Sequence, residues 1–83
     1  MKAKIYTKSN CAYCTRAKAL LQKHNVEYDE YSIVLNKEDS TNQFTITRDE
    51  LLAMLPNAKT VPQIFLDNNY VGGYTELAEF LTM

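Results

Sequence analysis

The chain's 83 residues are 46% hydrophobic and 23% charged, with a formal net charge of −1. That length makes one domain, residues 1–83, and that apolar content implies a folded globule rather than a disordered tail. Near-neutral charge argues against general nucleic-acid binding, and no apolar run approaches the roughly 18–20 residues that cross a bilayer.

The N-terminus, Met1-Lys2-Ala3-Lys4-Ile5-Tyr6, has no apolar signal region, so a soluble, reducing, cytoplasmic setting is expected. Charge is unevenly spread. Residues 1–25 hold six basic side chains (Lys2, Lys4, Lys8, Arg16, Lys18, Lys23) and no acid, whereas residues 26–83 hold three basic and all ten acidic ones.

Lys4-Ile5-Tyr6-Thr7 reads as a strand with Ile5 buried, and Lys8-Ser9-Asn10 as a polar turn. A helix is predicted from Tyr13 to His24, with Cys14, Ala17, Leu20 and Leu21 on its apolar face and Asn25 as its stop. Lys18 and Lys23 read as part of a solvated basic face. Val26 to Val34 reads as a second strand, completing a right-handed βαβ unit with parallel strands. Asn36 to Gln43 is polar and reads as a loop.

Thr47-Arg48-Asp49-Glu50 has the capping-box spacing. Leu51, Leu52, Met54 and Leu55 supply the buried face of the helix it starts, and Pro56-Asn57 ends it. Gln63 to Leu66 and Tyr70-Val71 form a predicted hairpin around Asp67-Asn68-Asn69. Gly72-Gly73 breaks the second strand, and Thr75 to Met83 reads as a terminal helix with Leu77, Phe80 and Leu81 on one face. The order is β-α-β-α-β-β-α. It fits an α/β fold with a four-stranded mixed sheet and helices on both faces.

Only two cysteines are present, Cys11 and Cys14, at the first strand-to-helix junction. A Cys-x-x-Cys pair can cycle between dithiol and disulfide, hold part of a metal site, or be incidental. Its place at the start of a βαβ helix favours redox chemistry. A structural zinc site needs four ligands, which the two Cys and a distant His24 do not supply, so no metal is expected. His24 reads as a surface residue at the helix end.

The segment Thr7-Lys8-Ser9-Asn10-Cys11-Ala12-Tyr13-Cys14 resembles the active-site segment of glutaredoxins. Thr60-Val61-Pro62-Gln63-Ile64-Phe65 resembles their Thr-Val-Pro segment, and Gly72-Gly73-Tyr74-Thr75 their Gly-Gly turn. Thioredoxins fit less well, because they carry Trp before the first Cys and Gly-Pro within the pair. The fold implied is the thioredoxin fold. The activity implied is a glutathione-dependent thiol-disulfide oxidoreductase acting on protein disulfides and glutathione mixed disulfides.

The nucleophile in such exchange is the thiolate, and a free Cys is only about 3% ionised at neutral pH. A helix N-terminus and the Lys8 side chain favour the anion at Cys11. Cys11 is thus the expected attacking thiol and Cys14, one turn later and more buried, the resolving one.

The resemblance further implies a glutathione site. Tyr13 would flank the substrate. A cis Val61-Pro62 bond beside Thr60 would leave the Val61 backbone to pair with an extended peptide. Gly73, Tyr74 and Thr75 would bind the γ-glutamyl end, with Thr75 also readable as an N-cap. Lys8 would meet the glycine carboxylate, with Arg48 a secondary candidate and Lys59 nearby. Glutathione is the implied reducing co-substrate, and glutathionylated or disulfide proteins are the implied partners, ribonucleotide reductase among the possible clients. A monomer is expected. Two other readings stand beside this one: a dimer holding an iron–sulfur cluster through Cys11 of each chain with glutathione, suggested by Ala12 after the first Cys, and a thioredoxin-like protein reduced by a flavoenzyme.

Overall fold

A computed structural model describes residues 1–34, 45–58 and 60–82. The expected loop at Asn36–Gln43 and the candidate Lys59 lie outside the described residues. Strand β1 (Lys2–Thr7) leads into helix α1 (Ala12–Lys23), strand β2 (Glu27–Val34), strand β3 (Thr45–Thr47) and helix α2 (Arg48–Met54). Strands β4 (Gln63–Leu66) and β5 (Asn69–Gly72) follow, then helix α3 (Tyr74–Thr82).

The sheet order is β3-β2-β1-β4-β5. β1 runs parallel to β2 and antiparallel to β4, so Ile5 lies between Glu30 and Ile64. The described sheet therefore has five strands where four were expected. The added strand is Thr45–Thr47, which pairs in parallel with Ser32–Val34. The α/β class and mixed sheet stand as expected.

Alternation along β1 sends Ala3 and Ile5 to one face and Tyr6 to the other. On the first face Ala17 and Leu21 of α1 and Leu77 of α3 close over Ala3, Ile5, Ile64 and Leu66. On the second, Leu51 of α2 packs with Tyr6 and Ile46, flanked by Tyr31, Ile33 and Phe65. The helices thus cover both faces. Met54 and Phe80, placed on buried faces by periodicity, are instead half exposed. Met54 is the last residue of α2, and Phe80 lies in the last turn of α3.

The helix ends follow local chemistry. α1 stops in a Schellman motif: Asn25 takes φ 57°, its N–H donates to the Gln22 carbonyl, and the Val26 N–H donates to that of Leu21. Thr47 and Glu50 cap α2 reciprocally, each side chain accepting the other's backbone N–H at 3.1 Å. Asp67 and Asn68 both have positive φ, the hairpin turn pattern that Asp and Asn tolerate. The terminal helix begins at Tyr74, one residue before the expected start.

Candidate active site

Asn10, with φ 58°, turns the chain from β1 toward α1, and Cys11 follows as the N-cap in extended conformation. The Cys11 Sγ accepts the backbone N–H of Cys14 at 3.1 Å. It occupies the position usually held by a Ser or Asp oxygen. Negative charge on that sulfur would face the unpaired N–H groups of the first turn and the positive end of the helix dipole.

Cys11 is partly exposed and Cys14 is buried, and both are free thiols. Burial pushes the Cys14 thiol up to about 11, and its hydrogen bond with Cys11 acts in the same direction. The backbone bond from Lys8 and the charge of Lys18 oppose this without cancelling it. The pair is therefore asymmetric: an accessible sulfur at a helix cap and a protonated sulfur beneath it.

Lys18 is not a freely solvated surface charge. Its Nζ lies 3.1 Å from the Glu30 carboxylate, and Thr7 donates its hydroxyl to the same carboxylate at 2.6 Å. Lys23 stays exposed, as expected. Thr7, Lys18 and Glu30 line a common hollow with both cysteines at the end of β1 and β2.

Across from Cys11, the Val61 carbonyl oxygen stands 3.8 Å from its Sγ, and the Val61-Pro62 bond is cis. Tyr13, Thr60, Val61, Pro62, Gly73, Tyr74 and Thr75, all singled out from sequence, line one groove of about 230 Å³. Tyr13 is tied in place from two sides, with the Arg16 guanidinium 5.5 Å from its ring centre and the Tyr74 ring at 6.1 Å.

Lys8 and Arg48 line an adjoining groove of about 320 Å³ with Leu51, Leu52, Thr60 and Val61. Thr60 and Val61 line both grooves, so the two adjoin as one track at the residue whose carbonyl faces Cys11. One end meets two cations and the other meets the N-terminus of α3.

Two residues in this region escaped the sequence reading. Glu76 lines the first groove, and its Oε1 accepts the Gly73 N–H at 3.2 Å. Because α3 starts at Tyr74, Gly73 is the residue before the helix, Leu77 N–H donating to its carbonyl at 3.0 Å. Thr75 thus lies inside the first turn and is not the N-cap. The spacing Gly73-x-x-Glu76 is half a capping box and could have signalled this. The second residue is Gln63, which is 4% exposed and bonded to both Thr60 and Tyr70. A polar residue directly after Pro62 at the head of an apolar strand was the available signal.

A thiol pair of this kind can form a mixed disulfide on the outer sulfur and close an internal disulfide from the inner one. The described residues contain no cluster of metal-ligating side chains, and no described helix is long and apolar enough to cross a membrane.

Comparison with known proteins gives a consistent result. The family profile described as Glutaredoxin matches residues 3–71. Glutaredoxin 1 of Escherichia coli (strain K12) is 36% identical over 84 residues, covering 98% of this chain and 93% of that protein. Glutaredoxin 1 of Rickettsia prowazekii (strain Madrid E) is 40% identical over 73 residues, covering 88% of this chain and 70% of that protein. The solved structure of reduced Escherichia coli glutaredoxin superimposes with a TM-score of 0.72 at 32% identity, covering 99% of this chain and 94% of that one.

Proposed function

The chain belongs to the glutaredoxin family of thiol-disulfide oxidoreductases, with Cys11 and Cys14 as its redox pair, and from that premise we propose that it is a glutathione-dependent member. It reduces glutathione mixed disulfides and protein disulfides. The observation that carries this reading is the track along Thr60 and Val61, whose Val61 carbonyl stands 3.8 Å from the Cys11 sulfur and whose two ends hold Lys8 with Arg48 and the N-terminus of α3.

In this mechanism the Cys11 thiolate attacks the glutathione sulfur of a mixed disulfide. The Cys11–S bond forms as the old S–S bond breaks, and the client leaves as a thiolate that takes up a proton. The α1 N-terminus holds the negative charge on Cys11 before attack. A second glutathione then releases Cys11 and carries away oxidised glutathione. With a protein disulfide, Cys14 loses its proton and attacks the Cys11 sulfur, so the client leaves fully reduced and Cys11–Cys14 becomes the disulfide. Two glutathiones restore the dithiol.

The Val61 backbone supplies strand-like pairing for the peptide. Lys8 and Arg48 offer cations to the glycine carboxylate. The first-turn N–H groups of α3 offer donors to the γ-glutamyl carboxylate, while Glu76 stands beside them as a partner for its ammonium. Glutathionylated and disulfide proteins of the cytoplasm are the natural clients, ribonucleotide reductase being one candidate.

The test is turnover of a glutathione mixed disulfide coupled to NADPH through glutathione reductase. The wild-type protein should turn over, Cys11→Ser should not, and Cys14→Ser should keep this activity while losing reduction of protein disulfides. Turnover that requires thioredoxin reductase and ignores glutathione would overturn the assignment.

A further inference from the structure

A short polar relay connects the outer edge of the sheet to the substrate track. Gln63, the first residue of β4, is buried. Its Nε2 donates to the Thr60 carbonyl at 2.6 Å, and its Oε1 accepts the Tyr70 hydroxyl at 2.6 Å. Tyr70 lies on β5 at the sheet edge, with its ring 5.4 Å from that of Phe65 and half of its surface exposed.

The backbone makes this reach possible. Ile64 pairs with Gly72 but Phe65 pairs with Tyr70, so β5 carries one extra residue at Val71. An irregularity of this kind bends the strand and re-aims its side chains. A buried primary amide with both ends bonded has one favoured orientation. Remove one partner and it is free to rotate away from the other.

We infer that Tyr70 is a positioning residue for the substrate track: its hydroxyl fixes the Gln63 amide, which fixes the Thr60 carbonyl and hence the way the Val61 backbone faces Cys11. The relay touches neither cysteine. It sets how well the track receives the peptide and leaves the chemistry at sulfur alone. This inference rests on the proposed pairing of the Val61 backbone with glutathione.

Tyr70→Phe removes only the hydroxyl and leaves the ring on Phe65. The KM for a glutathione mixed disulfide should rise about fivefold, the loss of one partly buried hydrogen bond, while kcat and the rate of Cys11 alkylation by iodoacetamide stay unchanged. Gln63→Met should raise KM at least as much. The double variant should match Gln63→Met alone, because Tyr70 acts through that side chain. An unchanged KM in Tyr70→Phe, a fall in kcat instead, or additive effects in the double variant would overturn the inference.

If the wild-type protein did not turn over glutathione substrates, the proposed function would fail and the relay would be read separately by NMR. The Gln63 side-chain amide protons should shift and exchange faster in Tyr70→Phe. Unchanged signals would overturn the relay itself.

Discussion

The backbone N–H of Cys14 donates to the sulfur of Cys11 at 3.1 Å, so the atom proposed as nucleophile is also the helix cap. The two roles separate by substitution. Cys11→Ser keeps an oxygen able to cap α1 and should unfold close to the wild-type urea midpoint. Cys11→Ala should lose about 1 kcal/mol, the usual value of an N-cap. Both variants should lack exchange activity. Equal midpoints for Ser and Ala would show that the sulfur does not cap the helix.

Cys14 gives a pH signature. Burial, reinforced by its bond with Cys11, pushes this thiol up to about 11 from an ordinary 9.0. Its ionised fraction therefore climbs about tenfold per pH unit through the neutral range. Closure of the internal disulfide from glutathionylated wild-type protein should accelerate in the same proportion between pH 7 and 9, as read by stopped-flow release of glutathione. The folded value lies above the unfolded one, so the stability this group contributes is whole below pH 9 and lost as pH rises toward about 11. Between those values the Tm of wild type should fall faster than that of Cys14→Ser.

Glu30 works in the opposite direction. Its partial burial would raise the carboxyl, but the Thr7 hydroxyl and the Lys18 ammonium outweigh that and hold it below its ordinary 4.5. The folded value is depressed, so the stability is present above pH 4.5 and lost as pH falls through the folded value. Glu30→Gln should cost about 1 kcal/mol at pH 7, a modest figure for a pair still partly open to solvent. The gap between wild type and variant should narrow in urea unfolding as pH falls below 4.5. A gap that does not change on acidification would assign the loss to packing.

The adjacent glycines should respond unequally. Gly72 has φ +123°, and a Cβ there would come within 2.8 Å of the Glu76 Oε1. Gly72→Ala should therefore destabilise the fold by about 2 kcal/mol. At Gly73 a Cβ would stand 3.4 Å from the Pro62 carbonyl oxygen, and Gly73 lines the track beside Thr75. Gly73→Ala should leave the Tm nearly unchanged but raise the KM for glutathione substrates. A larger Tm loss at Gly73 than at Gly72 would contradict this ranking.

What the sequence made legible was local. The reciprocal caps of Thr47 and Glu50, the Asn25 stop and the Asp67-Asn68 turn each depend on neighbours within a few positions, and each was readable. Thr45–Thr47 was not, because three residues with one buried side chain become a strand only by pairing with Ser32–Val34. Lys18 reads as solvated until β2 brings Glu30 to it. The Gln63–Tyr70 bond depends on the extra residue at Val71, which no periodicity announces. The candidate site residues that line the two grooves were named from sequence because three motifs carried them. The track that joins Lys8 and Arg48 to Tyr13 and Thr75 exists only after folding.

The central place of β1 bears on how the chain is made. This strand is synthesised before its antiparallel neighbour β4, which comes only after β2, β3 and α2. Until β4 is made, Ala3 and Ile5 sit on a strand with an open edge, the kind of surface that recruits other nascent chains. Lys2 and Lys4 alternate with them, and both stay exposed in the finished sheet. Their charges guard that edge until Gln63–Leu66 arrives to close it.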